Sequence, residues 1–321
     1  MNEEFLKMVI DGMTWSFSRI NSYAQCPFEW YMKYIECEEG HGSFYADFGT
    51  LMHKCLELYS KGETDAKSIL KNYENYWNEY IENDLRDKDG RVQIEKEDEY
   101  YQEGVKYFEN VVHFQKVLDE NEILGVEKKI NFSLTAEGKE ESYPMIGYID
   151  LLLRNKETGA ITIMDHKSAK IKFKKDGGIY KSDEYHWRDF KRQLYLYAIP
   201  VIEEYGKVDH LAWNLFRLGE IKTIDFNKEE YDEAKIWAVD TIRMIRKDHA
   251  FDQNEDYFYC NKLCSMDQEC NVHNVHNVHN YNNDSEWRES NPTLEMNPNL
   301  DPPPESETRF LDLEKKELAW I

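Results

Sequence analysis

The sequence predicts an α/β fold, in which a β-sheet is flanked by helices. Three observations support this. Apolar residues recur at three- and four-residue spacing in the first 120 residues, as they do in amphipathic helices. Residues 125–167 instead alternate in strand fashion and are interrupted by turn sequences. Two long helical segments, 184–205 and 227–249, enclose a further strand-like segment.

The part of the chain before the sheet is predicted to be helical. Residues 14–35 have helical spacing, with Ser18 as the predicted N-cap. A second helix is predicted over 44–59, with Thr50 as its cap. Residues 60–120 are charged and studded with aromatic side chains at helical spacing, and we interpret them as a helical insertion.

Four strands are predicted. Ile130, Phe132 and Leu134 alternate in the first strand, which begins near Glu127. The remaining elements are expected in the order strand 145–154, turn 155–159, strand 161–167, helix 184–205, strand 209–218 and helix 227–249.

The composition excludes a membrane span, because no run of about 18 apolar residues occurs. The N-terminus carries acids and lacks a secretory pattern, so we expect a cytoplasmic protein. The net charge of −23 opposes binding to nucleic acid as a whole. The segment 166–192 nevertheless holds nine lysines and arginines against four acids, which fits either a local basic groove or a solvated loop.

Acidic residues on neighbouring strands predict a metal site. Asp165 and Lys167 are two residues apart on one strand, so their side chains point to the same face. The turn at 155–159 brings Asp150 across from Asp165. Two facing carboxylates repel each other unless a cation lies between them, and oxygen ligands suit Mg²⁺ or Mn²⁺. Glu127 can supply a third carboxylate. With 63 acids in the chain, each acid alone is weak evidence, and the Asp165/Lys167 pair taken alone fits an ordinary surface pair better than a site.

Five motifs, taken together and in order, resemble the RecB-type branch of the PD-(D/E)XK nuclease superfamily. In chain order they are His53 in FGTLMHKCLE, the strand with Glu127, Asp150 in GYIDLLL, Asp165 and Lys167 in DHK, and Gln193 and Tyr197 in RQLYLYA. The resemblance covers residues 14–270. It implies a restriction-endonuclease-like core with a central mixed sheet, a nuclease domain over 1–271, and hydrolysis of DNA phosphodiester bonds.

The resemblance also implies roles for these residues. The catalytic set would be Glu127, Asp150, Asp165, Lys167, Gln193 and Tyr197. The ligands of Mg²⁺ or Mn²⁺ would be His53, Asp150, Asp165 and the carbonyl of His166, with Glu127 reaching the metal through water. Lys167 would stabilise the attacking hydroxide or the developing phosphorane charge. Gln193 and Tyr197, which share one helical face, would position the DNA strand or the lysine.

Four of the six cysteines fall where the iron–sulfur branch of this family holds a [4Fe–4S] cluster. They are Cys26, Cys260, Cys264 and Cys270. The downstream spacing is C-x3-C-x5-C, one residue longer than the usual first gap. Sets of four cysteines also suit zinc, and unliganded thiols are a third alternative. Cys37 and Cys55 are expected to be ordinary side chains.

The chain after residue 271 predicts a low-complexity tail. Residues 272–321 contain the repeat VHNVHNVHN and are polar and acidic, as disordered segments are.

The expected partner is DNA, either single-stranded or with free ends, in recombination, repair or viral DNA processing. The family resemblance favours an exonuclease. The chain lacks a P-loop motif, so unwinding would need a helicase or recombination partner. Two alternatives remain: a catalytically inactive DNA-binding or scaffolding subunit, and a structural metalloprotein that depends on its cysteines alone.

Overall fold

The structure is a computed structural model that describes residues 3–87, 91–138, 140–175, 177–254, 259–260, 264–266 and 270. The predicted tail, 272–321, lies outside these residues. The chain divides into two compact units. The first contains residues 3–13, 22–41 and the described residues from 241 onward. The second contains residues 14–21 and 42–240.

A five-stranded sheet forms the centre of the second unit, in the order β1-β2-β3-β4-β5. Its strands are β1 Asn121–Leu134, β2 Tyr143–Asn155, β3 Ile161–Lys167, β4 His210–Leu215 and β5 Glu220–Asp225. β3 and β4 run parallel, and the other neighbouring pairs are antiparallel. The sheet is therefore mixed, as expected.

Nine α-helices are assigned within the described residues. They are α1 Glu3–Asp11, α2 Phe17–Gln25, α3 Pro27–Tyr34, α4 Phe44–Ser60, α5 Ile69–Tyr80, α6 Ile94–Glu109, α7 Val112–Glu120, α8 Glu184–Tyr205 and α9 Lys228–Ile245. α8 has the predicted bounds, and Gly206 ends it in the left-handed conformation at φ +80°. No helix in the described part of the chain combines the length and apolar character that a membrane span requires.

The first predicted helix is interrupted. Cys26 is extended, and Pro27 begins α3, since proline lacks the N–H that continuing the first helix would need. Ser16, rather than Ser18, accepts a hydrogen bond from the backbone N–H of Arg19, at 3.2 Å.

Two further boundaries were wrong. Ser43, not Thr50, is the N-cap of α4: its side chain accepts from the N–H of Ala46. Thr50 lies inside α4 and donates to the carbonyl of Ala46. The predicted strand 209–218 is β4 followed by a turn at Gly219, φ +66°, that leads into β5. β5 was not predicted, because its residues are polar or half-buried, as on an edge strand.

The two faces of the sheet pack against different helices. Alternate residues such as Leu151, Leu153 and Met164 join a buried cluster with aromatic residues of α4 to α7. The opposite face lies against α8. Because side chains alternate along a strand, the residues between these apolar positions, including Asp150 and Asp165, point to the α8 face.

Candidate active site

The end of the sheet brings the predicted acids together. The pairs Leu151–Met164 and Leu152–Ile163 set a register in which Asp150 stands opposite Asp165. The backbone N–H of His166 donates to Oδ2 of Asp150 at 2.6 Å, which fixes that carboxylate. Nζ of Lys167 lies 3.0 Å from Oδ2 of Asp165, so the two-residue spacing places these side chains on one face.

Glu127 lies inside β1 rather than at its beginning. It stands opposite Asp150, between the pairs Val126–Leu151 and Lys128–Ile149. Its φ is +49°, a left-handed conformation that costs a non-glycine residue about 1–3 kcal/mol. The register of β1 also shifts just before this point, between Ile123 and Gly125. Nothing in the sequence signals this distortion, which aims the Glu127 carboxylate at the site.

His53 approaches the same acids from α4. Its Nδ1 lies 3.6 Å from Oδ2 of Asp150, and its Nε2 lies 2.9 Å from the carbonyl oxygen of His166. Burial lowers the pKa of His53, which favours the neutral ring. A neutral ring that donates from Nε2 to this carbonyl leaves Nδ1 unprotonated towards Asp150, where it can serve as a metal ligand.

His53, Glu127 and Asp150 are the group that can hold a metal ion among the described residues. One ligand atom from each lies within 4.8 Å of the others. Asp165 lies beside this group without belonging to it, and its buried Oδ2 lies 3.0 Å from Nζ of Lys167. A buried carboxylate oxygen next to other carboxylates and an imidazole ring is suited to bind a divalent cation.

Lys167 is held in place by Gln193 of the RQLYLYA motif and by nearby aromatic side chains of α8. Its side chain is 1% exposed, and Nζ donates to Oε1 of Gln193 at 2.8 Å. The Phe190 ring lies 4.9 Å from the same Nζ. The hydroxyl of Tyr197, one turn after Gln193 on α8, is hydrogen-bonded to Gln193 and to the backbone of Tyr148. Gln193 and Tyr197 thus fix the position of the lysine.

Burial raises the pKa values of the clustered acids. The pKa of Glu127 rises to about 8, through burial first and then through the charge of Asp150. The pKa values of Asp150 and Asp165 rise to about 6, again mainly through burial, although the Lys167 ammonium opposes this. The ionised form of this acid cluster therefore needs additional positive charge nearby.

Two further residues lie near the site. Glu57, one turn after His53 on α4, is ion-paired with Lys54 and Lys61. Asn214 was not predicted: it is fully buried, and its Nδ2 lies 2.7 Å from the Tyr107 hydroxyl and 3.1 Å from Nδ1 of His166. In the sequence, Asn214 could have been noticed as a single amide side chain within an otherwise apolar strand.

The four predicted cluster cysteines belong to the first compact unit. Cys26, Cys260 and Cys270 are buried, and Cys264 is half-buried. The N–H of Asn254 donates to Sγ of Cys26 at 3.5 Å, and Sγ of Cys260 donates to the carbonyl of Asn254 at 3.2 Å. Burial raises the pKa of the Cys264 thiol, and neighbouring groups including Cys26 and Cys260 raise it further. Three of these thiols are therefore neighbours.

A buried carboxylate orders the loop that carries Cys264. Glu29 on α3 accepts hydrogen bonds from the Ser265 N–H at 3.0 Å and the Ser265 hydroxyl at 2.8 Å. It also accepts from the hydroxyl of Tyr259. The carbonyl of Ser265 in turn accepts from the N–H of His41 at 2.9 Å.

The geometry agrees with the comparison to known families. A family model described as the PD-(D/E)XK nuclease superfamily matches residues 14–271. The chain belongs to the PD-(D/E)XK nuclease superfamily. The mixed five-stranded sheet flanked by helices is consistent with this PD-(D/E)XK fold. The chain is accordingly assigned to the nucleases, with a His–Glu–Asp group suited to the divalent metals such nucleases use.

The chain is similar to two solved structures at low sequence identity. The chain is similar to a proposed exonuclease from Eubacterium rectale, with 14% identity, 90% of this chain and 94% of that chain covered, and a TM-score of 0.45. It is also similar to SSO0001, with 16% identity, coverage of 55% and 79%, and a TM-score of 0.28. No curated protein matches the chain in sequence.

Proposed function

We propose that this PD-(D/E)XK protein is a divalent-metal-dependent deoxyribonuclease of the RecB type. The observation that carries the proposal is the convergence of His53, Glu127 and Asp150 within 4.8 Å, next to the buried Asp165–Lys167 pair. Residues 1–271 form the proposed nuclease domain, in which 60–120 are a helical insertion.

Each side chain has a role that follows from its contacts. A bound Mg²⁺ or Mn²⁺ would lower the pKa of a coordinated water and polarise the scissile phosphate. His53 and Asp150 would hold this ion, with Asp165 and the carbonyl of His166 as the further proposed ligands. Lys167 supplies a fixed ammonium where negative charge develops on the phosphate or the attacking hydroxide.

Gln193 and Tyr197 act on catalysis through Lys167. The amide oxygen of Gln193 accepts from Nζ, and Tyr197 contacts Gln193. A lysine held in this way loses little orientational freedom as the reaction proceeds. We place Glu127 at the metal through water, as the resemblance to RecB-type nucleases implies.

The substrate we propose is DNA that is single-stranded or has free ends, degraded exonucleolytically during recombination, repair or viral DNA processing. This part follows from the ordered motif set rather than from the geometry. A cytoplasmic location fits a protein whose cysteines must stay reduced to bind a metal. A helicase or recombination protein would supply unwinding.

A cleavage assay tests the proposal. Wild type should degrade an end-labelled linear DNA strand with Mg²⁺ or Mn²⁺ and should spare a circular one. Asp165→Ala and Lys167→Ala should each lower the rate by about 100-fold or more. Asp98→Ala and Lys71→Ala remove exposed charges from α6 and α5 and serve as matched controls. Equal rates in wild type and Asp165→Ala would exclude this active site, and cleavage of the circle would exclude the exonuclease.

We also propose that the four cysteines hold a [4Fe–4S] cluster. Soft thiolate ligands in a buried setting suit such a cluster. Sets of four cysteines also suit a single tetrahedral zinc, so the bound metal has to be measured.

Metal analysis of protein purified without air distinguishes these alternatives. The full chain should be brown and contain about four iron and four sulfide per molecule. Cys264→Ser should lose both, and Cys37→Ser, which replaces an exposed cysteine outside the set, should keep them. A colourless preparation that contains one zinc would refute the cluster.

A further inference from the structure

Residues 168–192 form a surface that the active-site chemistry leaves unexplained. After Lys167 the chain forms an arm in which Phe173 and Ile179 are bridge partners, and it then enters α8. The N–H of Lys174 donates to the carbonyl of Gly178 at 2.7 Å, which closes the arm. The arm therefore begins at one residue of the proposed active site and ends on the helix that carries another, Gln193.

Aromatic contacts fix this arm to the sheet. The ring of Phe173 packs edge-on against Trp187 at 5.3 Å, and Trp187 packs against the fully buried Trp213 of β4 at 4.4 Å. Nζ of Lys222 lies 4.8 Å from the Phe173 ring, and Ile171 is buried. An arm held by these ring contacts can present its outer side chains in defined positions.

The outer side chains are tyrosines and basic residues. Tyr180 and Tyr185 are 49% and 41% exposed, although large aromatic side chains are usually buried. Lys174 lies over the ring of Tyr180 at 5.8 Å, and the Arg188 guanidinium lies over that of Tyr185 at 5.0 Å. These contacts hold each ring beside a positive charge.

The lysines of the arm are exposed. They are Lys172, Lys174, Lys175 and Lys181. Within the described part of the chain, none of the four has a carboxylate at ion-pair distance, whereas the neighbouring Lys170, Lys191 and Arg192 are all paired with glutamates. One acid of the segment, Asp183, accepts instead from the backbone N–H of Lys172, at 2.9 Å.

We infer that this arm is a binding platform for single-stranded nucleic acid, on which bases stack on Tyr180 and Tyr185 while the lysines contact phosphates. The inference rests on the proposed nuclease function and names its substrate class. Stacking needs unpaired bases, because duplex bases expose no ring face, so the surface selects single strands. The four unpaired lysines supply the phosphate contacts that a chain of net charge −23 otherwise opposes.

The geometry of α8 relates the platform to the reacting phosphate. Tyr185 and Gln193 are eight residues apart on α8, which corresponds to about 12 Å along the helix axis. At a rise of about 3.4 Å for each stacked nucleotide, three to four nucleotides separate the base on Tyr185 from the phosphate near Lys167.

Binding of labelled DNA to the full chain in EDTA, which prevents cleavage, tests the platform. The probes are single-stranded dT20, an abasic strand of the same length and a 20-base-pair duplex. Wild type should bind dT20 about tenfold more tightly than the abasic strand or the duplex. The double variant Tyr180→Ala/Tyr185→Ala should lose this preference, and the double Phe variant should retain it. Phe5→Ala, which removes an exposed aromatic side chain from α1, is the control.

The salt dependence of binding tests the lysines of the platform. The triple variant Lys174→Ala/Lys175→Ala/Lys181→Ala should reduce the slope of log affinity against log salt by about 2, while Lys71→Ala should leave it unchanged. Equal affinity of wild type for dT20 and the abasic strand, or an unchanged preference in the double Ala variant, would overturn the platform.

Parallel cleavage assays separate this inference from the nuclease proposal. If wild type cleaves DNA but the tyrosine variants keep the base preference, the platform is wrong and the nuclease stands. If wild type does not cleave but the tyrosine variants lose the preference, the nuclease is wrong and the platform stands.

Discussion

At the scale of single residues, the proposed active site is assembled from groups that are individually unfavourable for folding. Glu127 adopts a left-handed backbone conformation and carries a carboxylate whose pKa burial raises to about 8. Asp165 is buried, and Nζ of Lys167 lies 3.0 Å from its Oδ2. Strain and desolvated charge of this kind persist where function requires them, and they should be measurable by substitution.

Glu127→Gly should stabilise the fold while it removes activity. Glycine adopts positive φ without strain, so the free energy of unfolding should rise by about 1 kcal/mol. Loss of the carboxylate should weaken Mn²⁺ binding and cleavage. Chemical denaturation and metal titration measure the two effects, and Glu127→Gln, which keeps the backbone strain, is the control. A glycine variant less stable than the glutamine variant would contradict the assigned strain.

Asp189 predicts a pH-dependent change in stability outside the active site. Burial raises its pKa from 3.8 to about 6, and Arg188 and Arg192, near 4 Å away, offset this only in part. A folded-state pKa above the unfolded value means that folding favours the protonated form. Its contribution to stability is therefore fully present below pH 3.8 and is lost as the pH rises through about 6.

Asp189→Asn should consequently be more stable than wild type at pH 7.5, by about 1–3 kcal/mol. The difference should shrink as the pH falls from 7 to 5, because wild type then takes up the proton. Urea unfolding across this pH range provides the measurement. Asp98→Asn, an exposed acid on α6, should show no such trend, and a constant difference for Asp189→Asn would refute the burial argument.

At the scale of elements, the contact between β2 and α8 controls the position of Lys167. Gly147 on β2 leaves space for the ring of Tyr197: an added Cβ would lie 2.6 Å from Cε1 of that ring. Tyr197 contacts Gln193, which holds Lys167. Because Gly147 has no side chain, the Tyr197 ring can pack against β2, and the position of Lys167 depends on this packing.

Gly147→Ala should displace Tyr197 and loosen Lys167. We expect a loss of about 1–3 kcal/mol in unfolding free energy, as for other overpacked sites, together with a reduced turnover number. Metal affinity should change less, because His53 and Asp150 lie outside this contact. Thermal unfolding and single-turnover cleavage measure these effects. Gly12→Ala, where the nearest atom would be 3.4 Å from the added Cβ, is the matched control.

The elements also show where sequence patterns succeed and fail. β3 and α8 were predicted with their observed bounds, since apolar periodicity and turn residues mark both of them. β5 was missed because an edge strand buries little and so lacks that pattern. Pro27 marks the break between α2 and α3 in the sequence, but the helical spacing on either side of it led to the prediction of one continuous helix.

At the scale of the whole molecule, metal binding should contribute to stability. The protein carries 63 acids against 40 lysines and arginines, and Glu127 and Asp150 converge with His53 at one site. A cation that binds only the folded state stabilises it by about 2.7 kcal/mol at a concentration 100 times its Kd.

Mn²⁺ at such a concentration should raise the Tm of the full chain by about 5 °C or more. His53→Ala and Asp150→Ala should abolish this increase, while Lys71→Ala should keep it. Differential scanning calorimetry with and without Mn²⁺ provides the measurement. An equal increase in the Asp150→Ala variant would place the ion elsewhere.

The sequence by itself determined the fold class, most element positions and the set of candidate residues, because periodicity, turn residues and ordered motifs are local properties. It also indicated that Asp165 and Lys167 share a face, since a strand repeats every two residues.

The tertiary structure alone decided three features. It showed the left-handed turn of Glu127 towards Asp150, the His53 Nε2 contact with the His166 carbonyl, and the position of Asp165 beside the three-residue group. Each depends on how a strand bulge, a helix and a second strand meet within a few ångströms. Such distances arise from packing between residues far apart in the chain, which no local pattern encodes.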